Sequence, residues 1–210
     1  MRRGLLAVLA LVALFGAPAS AAEIRSITSE GLTAILARPD TPFAGSAVAD
    51  VTVVEYLDFN CPYCRRIAST LTELIAGDRR IRILYKDWPI FGGASVYAAR
   101  AALASGWQGR YLQAHDALIG TPGRLASTDD VRRRLGAAGI DLDRLDRDLA
   151  AHGAAIDEVL ARNDAEARAL SFEGTPGLVV GPFIVPGALD LDNLRKLVDV
   201  VRRSGEAHPS

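Results

Sequence analysis

The chain has 210 residues, with 24 basic and 25 acidic side chains and two cysteines. That length can bury a sizeable core unaided, and a scaffold held together by disulfides would carry many more cysteines. A near-neutral chain without a basic stripe is not built as a nucleic-acid binder.

Arg2 and Arg3, the uncharged apolar run from Leu5 to Phe15, and the small residues Ala19, Ser20, Ala21 and Ala22 follow the layout of a secretory signal peptide. We assign it to residues 1–21, with cleavage near Ala21. The apolar run is well short of the roughly 20 residues that cross a bilayer as a helix. Without the two arginines, 22 basic face 25 acidic residues. Export would place the two cysteines in an oxidising compartment.

Residues 22–47 read as a lead-in segment or a partner-binding arm. Ile27, Leu32, Ile35 and Leu36 have the spacing of a short helix, with Ser29 as its cap. "VTVVEYLDF", Val51 to Phe59, is β-branched and aromatic and reads as a buried strand. It runs into Cys61-Pro62, and Pro62 suits a first helical position. Ile67, Leu71, Leu74 and Ile75 then share one helical face, and Gly77 closes the helix. "IRILYKDWPI", Ile81 to Ile90, is the next strand. Strand, helix, strand implies a parallel pair with a right-handed crossover.

From residue 95 to 170 the pattern is helical, in four or five short pieces. One of them carries Leu112, His115, Leu118 and Ile119; another is capped by Ser127 or Thr128. After Gly174, Leu178–Val180 and Phe183–Val185 flank Gly181-Pro182 as a hairpin. A last amphipathic helix points Leu191, Leu194, Leu197, Val198 and Val201 inward. Residues 48–94 and 171–203 thus form one α/β domain on a mixed four-stranded sheet, and 95–170 form a helical domain inserted into it.

Cys61 and Cys64 are the chain's two cysteines. Structural zinc needs four ligands, and neither a third cysteine nor a spaced histidine pair offers them. Covalent haem needs CxxCH, and Arg65 follows Cys64. A structural disulfide closing so short a loop constrains the unfolded chain little. The reactive alternative has a physical cause. Cys61 meets the positive end of a helix, which favours its thiolate, whereas Cys64 lies one turn inside. Cys61 is then the attacking thiol and Cys64 the resolving one. Glu55, on the buried strand behind them, suits a carboxyl of raised pKa that carries the Cys64 proton; a wetter strand end is the alternative. Asp58 lies closer in sequence but faces the other way. Thr175-Pro176 is a site for a cis peptide bond, or an ordinary trans turn.

Glu55, Cys61-Pro62-Tyr63-Cys64 opening a helix, a helical insertion, then Thr175-Pro176 and a hairpin together resemble the thioredoxin-fold DsbA superfamily of periplasmic thiol–disulfide oxidoreductases, over about residues 48–203. The resemblance implies Cys61 as nucleophile, Cys64 as resolving cysteine, Glu55 as buried acid and Pro176 as cis-proline. Thr175, Pro176, Pro62 and Tyr63 would meet the client, with Trp88 and Phe91 lining the client surface or lying in the core. It implies no cofactor beyond the Cys61–Cys64 disulfide itself. The implied partners are unfolded or misfolded exported proteins and a membrane redox protein of the DsbB or DsbD type. DsbA itself has Pro-His between its cysteines and Val before the cis-proline. Pro-Tyr and Thr-Pro are closer to DsbG and ScsC-like proteins, which work reduced as isomerases or reductases and which leave room for oligomerisation through residues 22–47. A chaperone-like binding domain with a locked disulfide is the non-catalytic alternative.

Overall fold

The computed structural model describes residues 24–204; the expected signal peptide and the last six residues lie outside the described part. In chain order the elements are β1 (Arg25–Ser26), α1 (Ser29–Leu36), β2 (Phe43–Gly45), β3 (Val51–Leu57), α2 (Pro62–Gly77), β4 (Ile81–Asp87), α3 (Gly93–Ser105), α4 (Tyr111–Gly120), α5 (Thr128–Ala137), α6 (Leu142–Ala169), β5 (Gly177–Val180), β6 (Phe183–Pro186) and α7 (Leu191–Ser204).

The four expected strands form the middle of the sheet, and two short ones extend it to six, in the order β1-β6-β5-β3-β4-β2. β3 and β4 are parallel, with Glu55 opposite Tyr85 and Leu57 opposite Asp87. The other pairs are antiparallel. The added strands come from the lead-in segment: β1 borders β6 and β2 borders β4. Two and three residues carry too little alternation to be read as strands. α1 is capped by Thr28, whose hydroxyl accepts the Gly31 N–H at 3.2 Å, and not by Ser29.

β3 is buried along its whole length because both faces are covered. On one face Val51, Val53, Leu57 and Phe59 pack with Ile67, Leu71 and Leu74 of α2 and Leu194, Val198 and Val201 of α7. On the other, Val54, Tyr56 and Leu84 pack with Ile35 of α1, Ala167 of α6, and Phe172. Lys86 also points to this second face, where its Nζ lies 2.9 Å from Glu166 Oε2. The Tyr56 hydroxyl donates to the same carboxylate oxygen at 3.1 Å.

The helical segment differs from the sequence-based expectation in two places. The expected short pieces do not extend over its second half, where residues 142–169 form one 28-residue helix, α6, with Gly153 inside it. Gly153 does not break it but makes room: a Cβ there would lie 3.1 Å from Arg100 Nη2, and Arg100 pairs with Asp157 one turn on. On α4, Leu112 faces outward, and Tyr111 and Ala114 join His115, Leu118 and Ile119 on the buried side.

The return into the sheet is tightly packed. A Cβ on Gly177 would come within 2.5–2.7 Å of three Phe172 ring atoms, and that ring is braced on Tyr56 at 5.5 Å between centroids. Gly177→Ala should therefore destabilise the protein by about 1–3 kcal/mol through overpacking, read as a lower denaturant midpoint at unchanged slope.

Candidate functional site

Strand β3 ends at Leu57, and four residues later Cys61 caps α2 with extended backbone (φ −74°, ψ 121°). Pro62 occupies the first turn, as its fixed φ favours. The Cys61 N–H donates to the Asp58 carbonyl at 2.9 Å, which closes the turn between strand and helix.

Cys61 and Cys64 lie 3.7 Å apart as free thiols, both buried. The Cys61 pKa falls from 9.0 to about 6. A hydrogen bond from the Cys64 thiol is the largest cause; burial opposes it, and Thr175 and the N–H groups of Cys64 and Tyr63 add to the lowering. Cys64 is pushed far the other way, first by burial, then by its bond to Cys61 and the nearby charges of Glu55 and Cys61. The two sulfurs, one helical turn apart, therefore differ widely in acidity.

Cys61 Sγ sits 3.0 Å from the Thr175 carbonyl oxygen, to which the protonated thiol donates. A carbonyl offers nothing to a thiolate. The Thr175 hydroxyl is buried without a hydrogen-bond partner, so it is the group left to donate when Cys61 is ionised. The Thr175–Pro176 peptide bond is cis, and the Pro176 carbonyl accepts the Gly187 N–H at 2.9 Å. Of the four residues expected to face a client, Pro62 and Tyr63 are exposed, Thr175 is half-buried and Pro176 is buried.

Glu55 is 2% exposed in the middle of β3, between Tyr85 of β4 and Leu178 of β5. Its pKa rises from 4.5 to about 8, mainly through burial, then through the charges of Asp87 and Cys61. The wetter strand end is excluded.

Asp58 has a different task. Its Oδ1 accepts the Asn60 N–H at 2.7 Å, and its Oδ2 accepts the N–H groups of Ile90 and Phe91 at 2.7 and 3.0 Å. It binds the dithiol turn to the loop after β4. Two more residues, which the sequence does not single out, fix the same turn. Asn60 donates to Ser95 Oγ and the Leu125 carbonyl and accepts the Leu125 N–H at 2.7 Å. Arg65 reaches the carbonyls of Phe59, Thr121 and Gly123. Nothing in their spacing marks them, since their partners are up to 65 residues away in sequence.

Around the site, Tyr63 (53%), Ile90, Phe91 (45%) and Val96 are exposed. The guanidinium of Arg66 lies 5.1 Å from the Tyr63 ring centre and that of Arg124 lies 6.0 Å from the Phe91 ring centre. Trp88 does not join this surface. It is 4% exposed, turned onto the second face of the sheet, and its indole N–H donates to Asp164 of α6 at 2.8 Å. Among the described residues no three His, Cys, Asp or Glu side chains cluster as metal ligands, and no helix is long and apolar enough to cross a membrane.

A thioredoxin-type sheet with a dithiol at the first turn of α2 and a cis-proline loop against it defines a thioredoxin-fold protein. The chain belongs to the family of DSBA-like thioredoxin domains, which it matches over residues 52–199. It is similar to a thioredoxin-like oxidoreductase from Silicibacter pomeroyi DSS-3, at 38% identity and TM-score 0.77, covering 84% of this chain and 99% of that one. It is also similar to the thiol-disulfide exchange protein alpha-DsbA2 from Wolbachia pipientis, at 30% identity and TM-score 0.76, covering 82% and 92%. Among curated relatives, Na(+)/H(+) antiporter NhaA 1 of Salinispora arenicola (strain CNS-205) is 32% identical over 189 residues, 86% of this chain and 28% of the antiporter. The chain thus spans less than a third of that relative's length.

Asp58→Ala leaves three backbone N–H groups without their acceptor and should cost about 2–4 kcal/mol in a denaturant titration. Glu55→Gln acts in the opposite sense and depends on pH. A carboxyl whose folded pKa is raised contributes stability that is complete below the unfolded value, here 4.5, and lost as pH rises through about 8. The glutamine variant should match the parent near pH 4 and become progressively more stable than it up to pH 8. A gap that does not grow with pH would contradict this placement of Glu55.

Proposed function

We propose that the protein is an exported dithiol–disulfide oxidoreductase that forms or exchanges disulfides in other exported proteins through Cys61 and Cys64. The observation that carries this reading is the opposed acidity of the two sulfurs, with the Glu55 carboxyl buried behind them.

In the oxidising direction a client thiolate attacks Cys61 of the disulfide. The Cys61–Cys64 bond breaks, and Cys64 leaves as a thiolate that takes a proton from neutral Glu55. A second client thiolate then displaces Cys61. The client loses two electrons and the pair gains them. In the reducing direction the Cys61 thiolate attacks a client disulfide, whose S–S bond breaks and whose other sulfur leaves as a thiolate, and Cys64 loses its proton to ionised Glu55. Cys64 then attacks the Cys61 sulfur of the mixed disulfide and releases the client thiolate. In both directions Cys64 exchanges its proton in a dry site, where a carboxyl of pKa about 8 suits either role.

Thr175 and Pro176 would lie along an extended client backbone, and Pro62, Tyr63 and Phe91 would meet its side chains. Trp88, being buried, is not part of that surface. A Cys61 pKa of about 6 lies between about 3.5 for DsbA and about 7 for thioredoxin. This favours a pair less oxidising than DsbA and gives weight to a second reading, a reductase or isomerase kept as a dithiol by a DsbD-type membrane partner; a DsbB-type partner fits the oxidase. The Arg2–Ala22 stretch supports export to the periplasm. An oligomer through residues 22–47 would use the exposed side of α1, because Leu32, Ile35 and Leu36 are taken up by the sheet.

Cys64→Ala should trap Cys61-linked mixed disulfides with exported proteins, visible on non-reducing gels, and Cys61→Ala should trap none. A Cys64→Ala protein that traps no client under oxidising or reducing conditions would leave only a binding domain. The redox state of the pair in intact cells separates oxidase, mostly disulfide, from reductase or isomerase, mostly dithiol.

A further inference from the structure

Asp87 is a second carboxylate in the compartment behind the dithiol, and the exchange chemistry above leaves it without a task. It ends β4, opposite Leu57, two residues beyond the Tyr85 that faces Glu55. With side chains alternating along a strand, Asp87 and Glu55 point to the same side of the sheet, and their Cα atoms are about 8 Å apart on the diagonal. Asp87 is 1% exposed. The Tyr111 hydroxyl of α4 lies 3.1 Å from each of its carboxylate oxygens.

The groups that face these two carboxyls are few. Cys61 and Cys64 face them from α2, Tyr85 from β4, Tyr111 and His115 from α4, and Asp58 from the turn after β3. Asn163 of α6 donates to the main-chain carbonyl of Asp87 and not to its carboxylate. Lys86, between Tyr85 and Asp87 in sequence, is on the opposite face with Glu166. The rings of Tyr85 and His115 lie 4.3 Å apart. Two carboxyls in such a space do not both ionise near neutral pH; the first to lose its proton makes the other's harder to remove. Tyr111 decides which ionises first and so where the pair's remaining proton resides. A phenol that donates to Asp87 favours the ionised form of that residue, which leaves the proton on Glu55.

We propose that Asp87, held by Tyr111, is a positioning residue that keeps the pair's remaining proton on Glu55, so that Glu55 is the group that exchanges it with Cys64. Asp87 touches no reacting sulfur and acts through Glu55. The consequence for exchange rests on the proposed redox function; the coupling of the two carboxyls does not.

Both carboxyls are raised to about 8, mainly by burial. For Glu55 the Asp87 charge is the next cause; for Asp87 the Tyr111 hydrogen bond works the other way. The experiment reads Glu55 directly, by the pH titration of its side-chain carboxyl carbon in NMR of the reduced full-length protein. Asp87→Asn removes the neighbouring charge and should lower the Glu55 midpoint by about one pH unit, a tenfold loss of proton affinity. Tyr111→Phe lets Asp87 take the proton more readily and should lower the same midpoint by a smaller amount, which keeps the test alive if Asp87→Asn does not fold. The rate at which Cys64 displaces glutathione from Cys61 should show its inflection shifted to lower pH by the same amounts. In Glu55→Gln that inflection should disappear, and adding Asp87→Asn should change nothing further. An unmoved or raised Glu55 midpoint in the folded variants overturns the proposal. A shifted midpoint in a protein whose Cys61 forms no mixed disulfide would overturn the redox reading and leave the coupling intact.

Discussion

The site depends on where α2 begins. A strand buried on both faces delivers its last residue to the edge of the core, and the helix starts within a turn of it. Pro62 cannot sit inside a helix but suits its first turn, so the helix end falls at Cys61. The unpaired N–H groups of that end and the positive pole of the helix then face one sulfur and not the other. Everything else at the site holds this junction still: Asp58 closes the turn, Asn60 ties it to α3 and to the Leu125 segment, and Arg65 ties it to the loop after α4.

Burial, more than any named partner, then separates the titrating groups. It is the main reason that Glu55, Cys64 and Asp87 all have raised pKa values. Cys61, itself buried, escapes because a hydrogen bond from Cys64 outweighs the cost of taking its charge out of water. The contrast between Glu55 and Asp58 shows how little sequence distance decides. Asp58 is three residues nearer the dithiol, yet three backbone N–H groups engage its carboxylate as a structural clasp. Glu55, deeper in the strand, is the carboxyl left among apolar walls.

The central strands, α2, the hairpin and α7 are legible in the sequence because each carries its own period and punctuation. The core positions Ile67, Leu71, Leu74, Leu194, Val198 and Val201 follow from spacing alone. The roles proposed for Cys61 and Cys64 follow from the same local physics, and that proposed for Glu55 from the oddity of a carboxylate in an apolar run. What escapes is long-range. β1 and β2 are strands only because the edges of the sheet are there to pair with. Trp88 looks from sequence like a neighbour of Phe91, but the end of β4 turns it toward Asp164, 76 residues away. Leu112 fits a helical face that Tyr111 and Ala114 occupy instead. Asp87 is invisible in the sequence for the same reason: its meaning depends on Tyr111, and only the packing of α4 against β4 brings the two together.

The reduced site carries opposing linkages. Glu55 has a raised folded pKa, so its contribution is complete below 4.5 and declines as pH rises to about 8. Cys61 has a depressed one, so its contribution is complete above 9.0 and declines as pH falls through about 6. Between about pH 6 and 8 one is falling while the other is rising. The Cys61 linkage therefore offsets only part of the loss that the two raised carboxyls, Glu55 and Asp87, bring across that window. The same opposition suits the chemistry. Over that window the Cys61 thiolate, a good leaving group in the proposed oxidising direction, coexists with the neutral Glu55 carboxyl that would protonate Cys64.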